Sequence, residues 1–386
     1  MKTIAYVLTD FPVLSETFVG NEIRAMQAHG HRVVPFVFHL RDGPAQPADR
    51  EIAARAHTIG RIAVSAAFRV APLAWRSLSL VCRQKRLPRR SLLWTGMKLA
   101  GAIRDAKCDH IHAHFAGGAA AHALVAGRIT DLPVSFTCHG HDIYAEPEDL
   151  EIKLAEADRV VAVCRDMEDD LKQIAPNAAI SGIPCGTDTT RFEPRPETEH
   201  DNGRFLFIGR LVGQKGIDDL LRALRLLERT VPIRLDIVGE GPLHETVSRE
   251  TEFINQRGFH EIRLLGQRNA DWLQAEGPRY RGVVLPFKTA ADGSRDTGPL
   301  VVKEAMALGL PVVSTAFMGV KETVTEETGF LVPPASPDAL ACAMAQLATM
   351  PDEHRRQMGQ AGRKRVCEHF TLAAQARALS GMVEAA

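Results

Sequence analysis

The residues best suited to chemistry lie in the stretch DGSRDTGPLVVKEAMALGLPVVST, where Asp296 and Glu304 stand eight positions apart. Pro299 suits the first helical position, because its ring presets the backbone and its missing N–H had no partner to lose. Gly309 suits the stop, where a left-handed residue is needed. Asp296 then falls in the loop before a helix, and Glu304 just over one turn inside it. The unpaired N–H groups at the helix start, at Gly298 and at Leu300, Val301 and Val302, make a seat for an anion. Carboxylate, phosphate seat, carboxylate is the order met by a nucleotide-sugar, which offers sugar hydroxyls, a diphosphate and ribose hydroxyls. The same residues also suit a loop aspartate and an exposed helix glutamate with no ligand.

A second constellation, FIGRLVGQKGIDDL, places Gly209, Arg210 and Lys215 directly after an apolar run. Ligands collect at the carboxyl ends of parallel strands. Arg210 can fork onto phosphate oxygens and Lys215 supplies a mobile point charge. The GxxxxGK spacing of a phosphate-binding Walker loop is absent, and a solvated basic turn fits as well. Gly239 in IVGEGP permits a close backbone approach or simply turns a strand into a helix. Leu265 in RLLGQR is placed to border a nucleotide base. In the first half, SFTCHGHDIY sets His139 beside His141 and Asp142 at a strand end, while His112 and His114 share one face of another. Zinc would need a further ligand at clear spacing, so the expectation is no metal and hydrogen-bonded histidines. Ser15, Glu16 and Thr17 precede an amphipathic helix. They either cap it or contact a polyhydroxylated acceptor.

Alternating strands and helices must position these groups. Apolar runs predict strands at 4–8, 32–38, 110–114, 134–138 and 159–163, then at 204–208, 234–238, 262–265, 282–285 and 311–314. Helical patterns lie between them, at 18–29, 117–129 and 165–174, then at 217–229, 243–256 and 299–308. Continuous apolar strands separated by helices imply parallel sheets covered on both faces. Two such sets imply an α/β chain of two doubly wound, Rossmann-like domains. The stretch 192–203, polar and bearing two prolines, reads as their connection. The expected division is 1–195, 196–365, and a C-terminal helix at 366–386 packing back on the first domain.

Composition narrows the class. The length of 386 residues favours two domains, and 45% hydrophobic with 24% charged residues fits a globular chain. No apolar run reaches the roughly 20 residues that span a bilayer, and MKTIAYVLTD reads as a strand rather than a secretory leader. Seven scattered cysteines without a CxxC pair point to reduced thiols and a cytoplasmic setting. Charge is unevenly placed: Lys plus Arg and Asp plus Glu balance at 47 each, yet residues 61–104 hold ten basic groups and no acidic one. The remainder is therefore net acidic. Trp75 and Trp94 fall in the same segment, with Arg83, Lys85, Arg86, Arg89 and Arg90. Basic groups mixed with aromatic and apolar ones suit a peripheral helix on anionic lipid at the inner face of the cytoplasmic membrane. An ordinary amphipathic helix pair with solvated arginines is the alternative. No nucleic-acid-binding motif accompanies the charge.

Taken in order, FPVLSETFVGNEI, HAHFA, FTCHGHDIY, PCGTDTTRF, FIGRLVGQKG, IVGEGP, RLLGQ, PLVVKEAMALGLPVVST and TGFLVPP resemble the glycosyltransferases of family 4 over nearly the whole chain. The SETF loop and DGSRD are most similar to members that assemble exopolysaccharides, such as the colanic acid and amylovoran enzymes. The resemblance implies two facing Rossmann-like domains of GT-B type, with a nucleotide-sugar in the cleft between them. It implies retention of configuration and a reaction without metal or cofactor. It gives Arg210 and Lys215 to the donor diphosphate, Glu304 to the ribose and Asp296 to the transferred sugar. His139 is placed by it near that sugar in the opposite domain. The chain departs from the family pattern where Asp296 replaces the usual Glu and Thr297-Gly298-Pro299 the usual Gly-Phe-Gly. Cys185 replaces the usual Asn, and LSET the usual double-Gly loop. The expected reaction moves a hexose, from a UDP-sugar or alternatively a GDP-sugar, to a lipid-linked saccharide. Transfer to a soluble acceptor, or nucleotide-sugar binding without catalysis, are the alternatives.

Overall fold

The computed structural model describes residues 1–43, 45–194 and 203–386. They form two units, Met1–Gly186 with Leu372–Ala386, and Thr187–Thr371. The boundaries fall earlier than 195 and later than 365. Phe192 belongs to the second unit's core, and Thr187 bridges Thr371 across that unit. Most of the polar stretch 192–203, namely residues 195–202, lies outside the described residues.

The first unit carries seven parallel strands: β1 (Thr3–Phe11), β2 (Arg32–Leu40), β3 (His57–Thr58), β4 (His110–His114), β5 (Val134–Cys138), β6 (Arg159–Ala162) and β7 (Ile180–Gly182). Their spatial order is β3-β2-β1-β4-β5-β6-β7, with Ile4 facing Val33 on one side and His110 on the other. Ile4, Tyr6 and Leu8 of β1 pack against Val19, Ile23 and Met26, which recur at helical spacing on Thr17–Ala28. The helix Leu372–Glu384 covers the same layer with Ala376, Leu379 and Val383. It is also tied by polar bonds, since Lys2 Nζ donates to the Val383 carbonyl at 2.7 Å.

The second unit carries six parallel strands: β8 (Arg204–Ile208), β9 (Arg234–Val238), β10 (Glu261–Gly266), β11 (Gly282–Leu285), β12 (Val312–Thr315) and β13 (Gly329–Val332), in the order β10-β9-β8-β11-β12-β13. Alternate residues of β8 face opposite helix layers. Phe205 and Phe207 pack with Leu220, Leu224 and Met344, and Leu206 packs with Val302, Ala305 and Met306. Burial on both faces explains why these strands read as unbroken apolar runs.

Both sheets are doubly wound, and in each the winding reverses beside the first strand, between β1 and β4 and between β8 and β11. Such switch points open a crevice beyond the strand ends. β3, β7 and β13 have no counterpart among the strands read from sequence. Each is a sheet edge of two to four residues, too short to show a period. No helix among the described residues is long and apolar enough to cross a membrane.

Candidate active site

In the second unit, the loops after β8 and β11 meet at the switch point. Lys215 Nζ forms an ion pair with the Asp296 carboxylate, 81 positions away, and both side chains are largely buried. The ammonium also lies 5.1 Å from the centre of the Phe287 ring. Lys215, read from sequence as a mobile charge, is therefore fixed, since its two partners leave the butyl stem one course. Lys288, from the loop after β11, is held by Asp218 at 2.6 Å and Asp219 at 3.0 Å. Arg210 is exposed and forms no ion pair among the described residues, so its guanidinium is the cation left for an outside anion.

The glycines around this point are required by close approach. Gly239 has φ 143°, and a Cβ there would lie 1.9 Å from the Gly209 carbonyl oxygen. Gly239 N–H donates to the Gly266 carbonyl at 2.9 Å and Gly209 N–H to the Val238 carbonyl at 3.0 Å, so three strand ends are stitched together. Leu265 lies half-buried in the last of them.

The helix Leu300–Ala307 begins one residue later than expected. Pro299 has ψ 113° and caps it instead of starting it, because the proline ring fixes φ and leaves ψ free. The N–H groups of Gly298, Leu300 and Val301 find no acceptor among the described residues, while Val302 N–H reaches the Pro299 carbonyl at 3.3 Å. Gly309 ends the helix at φ 75°, in the left-handed region. Glu304 is half-buried, and burial pushes its carboxyl up to about 7 against the opposing pull of Arg191.

In the first unit, a cavity of about 290 Å³ opens beyond β1, β4 and β5. Its polar lining includes Asp10, Glu16, His114, His141, Asp142 and Glu146. Glu16 occupies the cap position of Thr17–Ala28, but no side chain there bonds the helix N–H groups, so Ser15, Glu16 and Thr17 do not serve as side-chain caps. Burial raises the Glu16 carboxyl above its ordinary value, with His114 opposing and Asp10 adding to the rise. Asp142 shapes the cavity floor by accepting from the Ala116 N–H at 2.7 Å and the His139 N–H at 2.9 Å. Burial still pushes it up to about 7.

His139 is buried against Phe18 and Phe115, whose ring centres lie 4.4 Å and 4.5 Å from its own. One ligand atom each of Glu22, His112 and His114 lies within 4.8 Å of the others, close enough for an ion. Each of those atoms already has a protein partner. His112 Nε2 meets Thr137 Oγ1 at 3.1 Å, and His114 Nε2 meets Glu22 Oε1 at 3.1 Å.

Residues 188–365 match the family described as glycosyl transferases group 1, and residues 15–191 match Glycosyltransferase Family 4. The chain belongs to the family 4 glycosyltransferases. It is 26% identical to the colanic acid biosynthesis glycosyltransferase WcaL of Escherichia coli (strain K12), covering 99% of each chain. A GDP-mannose-dependent alpha-(1-6)-phosphatidylinositol monomannoside mannosyltransferase of Mycolicibacterium smegmatis is 34% identical over 49% of this chain and 52% of its own length. Among solved structures, Anabaena Alr3699/HepE in complex with UDP-glucose superposes with a TM-score of 0.74 at 16% identity, covering all of both chains. That likeness establishes the two-domain GT-B fold.

In this glycosyltransferase the structure joins Lys215 to Asp296 and puts the Gly209 and Gly239 loops against one another. His139, Ser15, Glu16 and Thr17 lie in the other unit. Sequence reasoning did not single out Glu22, although a signal existed. Glu22 sits three residues after Val19 and four before Met26, on the apolar face of its helix, and a carboxylate there must find donors.

The basic segment folds into short helices packed on Arg89–Asp105. Two of its charges are compensated from outside: Arg83 pairs with Glu156 and Arg69 with Asp105. The segment's own sequence lacks acids, but its neighbours supply them. Lys85, Arg86, Arg89 and Arg90 remain exposed with no ion pair among the described residues. Phe68 is 65% exposed, Trp75 67% and Trp94 40%, and Phe68 and Trp94 meet edge to face at 6.1 Å.

Proposed function

We propose that this glycosyltransferase retains configuration and moves a hexose from a nucleotide-sugar to a lipid-linked saccharide in cell-surface polysaccharide assembly. The donor is a UDP-sugar, with a GDP-sugar as the alternative that the mannosyltransferase relative favours. Departure of the sugar builds negative charge on the diphosphate. Arg210, Lys215 and the open N–H groups at Gly298, Leu300 and Val301 are aimed at that charge, where preorganised donors act most strongly. On this account the chemistry calls for no cofactor and no metal. Glu304 accepts from the ribose hydroxyls and Asp296 from hydroxyls of the transferred sugar. In the first unit, His139 positions the sugar, while Ser15, Glu16 and Thr17 border the acceptor at the cavity. Several relatives support the polysaccharide assignment, WcaL among them.

The observation that carries the lipid-linked acceptor is the exposed face of residues 61–104. Half of the exposed large hydrophobic side chains among the described residues fall there: Val64, Phe68, Trp75, Leu78 and Trp94. Surface apolar residues normally scatter singly, and these stand among arginines. An anionic membrane satisfies both parts, at about 1 kcal/mol for each basic residue near the lipid and more for the inserted rings. The protein is thus a peripheral protein of the inner face of the cytoplasmic membrane, taking an acceptor that stays in the bilayer. Sedimentation with vesicles containing phosphatidylglycerol tests this. Binding should be lost when Arg86, Arg89 and Arg90 become Glu, and weakened when Phe68, Trp75 and Trp94 become Ser, with donor affinity intact. Wild-type protein that ignores anionic vesicles at low salt, where screening is least, refutes the membrane reading.

A further inference from the structure

We propose that the helix Leu150–Glu156 couples the basic segment to the cavity of the first unit, with Asp149 and Lys153 as positioning residues, so that seating the segment on anionic lipid orders the cavity walls. The lipid rests on the membrane reading proposed above; the linkage rests on hydrogen bonds and ion pairs within the first unit.

The helix reads LEIKLAE. Leu150, Lys153 and Leu154 recur at helical spacing on its buried face, and Lys153 is only 2% exposed. An amine placed there must find acceptors. Lys153 Nζ donates to the Ala116 carbonyl at 2.6 Å and to the Glu148 carbonyl at 2.5 Å, and it forms no ion pair among the described residues. Those carbonyls belong to different loops. Ala116 follows β4 and adjoins Gly117 and Gly118, which line the cavity; Glu148 lies in the loop before the helix and lines it with Glu146. Lys153 therefore pins one wall to the other. An amine makes both donations with or without its third proton, so the pin does not depend on its charge.

The same helix is fastened to the basic segment at both ends. Asp149 holds the N-cap position, where a carboxylate ordinarily accepts from the helix's own N–H groups, yet its side chain makes no such bond. Instead Oδ2 accepts from the Lys85 N–H at 2.9 Å and the Arg86 N–H at 3.0 Å, 64 and 63 positions away. At the other end Glu156 pairs with Arg83, and with Arg128 at 2.7 Å. Residues 83–86 thus hold both ends of a helix whose middle holds the cavity walls. The Lys85 and Arg86 side chains remain exposed, so lipid phosphates would meet the very residues whose backbone Asp149 holds. Binding that fixes a segment costs conformational entropy, and a second ligand costs less where that order is already present. Lipid at residues 83–90 and acceptor at the cavity then favour one another, and reciprocally.

Hydrogen exchange of the full-length protein, read by mass spectrometry with and without phosphatidylglycerol vesicles, tests the linkage. In wild type the vesicles should slow exchange about fivefold at residues 83–90 and also in the walls at 114–120 and 144–149. Asp149→Ala combined with Glu156→Ala cuts both fastenings and keeps every basic residue; vesicles should still protect 83–90 and leave the walls unchanged. Asp149→Asn combined with Glu156→Gln keeps oxygens that accept and should restore the response of the walls. Lys153→Met keeps the fastenings and removes the pin, so the response should stop at the helix and not reach 114–120; if that variant fails to fold, the double alanine variant decides. A purely structural role would shift wall exchange equally with and without vesicles, so the vesicle-induced difference is the quantity read. Wild-type protection confined to 83–90, or wall protection that survives the double alanine variant, overturns the coupling and leaves the membrane reading standing. Protection at neither place overturns the membrane reading and the coupling with it.

Discussion

Replacing Glu304 by Gln should stabilise the second unit at alkaline pH while weakening nucleotide binding. The carboxyl is half-buried, and burial lifts it from 4.5 to about 7. A carboxyl raised on folding favours its protonated form, so the native state binds the proton more tightly than the unfolded chain. Stability is then full below pH 4.5 and falls as pH rises, and the loss is complete above about 7. A lift of this size corresponds to roughly 3 kcal/mol, and water at the open end of the carboxyl reduces it to about 2 kcal/mol. Gln keeps the shape and has no charge to bury. At pH 8 the variant should melt roughly 4–8 °C above wild type, given about 2–4 °C per kcal/mol for a unit of this size; at pH 4.5 the two should coincide. Calorimetric melts at both values test this, and groups common to both proteins cancel in the difference. The same change removes a charged acceptor from the ribose and should weaken nucleoside diphosphate binding by about 10–100-fold. A melting difference that is the same at pH 4.5 and pH 8, or a variant less stable at pH 8, refutes the assignment of burial as the dominant influence on Glu304.

Arg210→Ala should lose about 10²–10³-fold in turnover with unchanged melting, because the side chain is exposed and unpaired among the described residues; near-normal turnover counts against its diphosphate role, and activity abolished by EDTA would replace the electrostatic account with a metal one. Asp296→Asn should leave nucleoside diphosphate affinity undiminished, since it frees Lys215 from its ion pair, while the preference for nucleotide-sugar over nucleotide shrinks; calorimetric titration with both ligands decides, and equal losses contradict the division of labour. Gly239→Ala places a methyl against the Gly209 carbonyl and forces a strained φ, so melting should register a loss of at least about 1–3 kcal/mol.

Much of this protein was legible without coordinates because its strands are buried on both faces and short connections separate them from helices. Local pattern suffices for that, and strands at 110–114, 134–138, 204–208, 234–238 and 282–285 were placed to the residue. The edge strands were not, since two to four residues carry no period. Asp296, Glu304 and Gly309 were readable because helix start and stop signals are local. The meeting of Lys215 with Asp296 was not, because their separation in sequence says nothing about which strand ends become neighbours; the winding reversal between β8 and β11 decides it. The excess of positive charge in residues 61–104 is a property of composition, yet the pairing of Arg83 with Glu156 and of Arg69 with Asp105 depends on surfaces brought alongside by folding. Glu22 shows the division most clearly. Its place on an apolar helix face is written in the spacing of Val19, Ile23 and Met26, which says that a carboxylate will be buried. Which donors satisfy it was fixed only when β1, β4 and the terminal helix converged, because a buried charge is tolerated where donors from several distant segments arrive together.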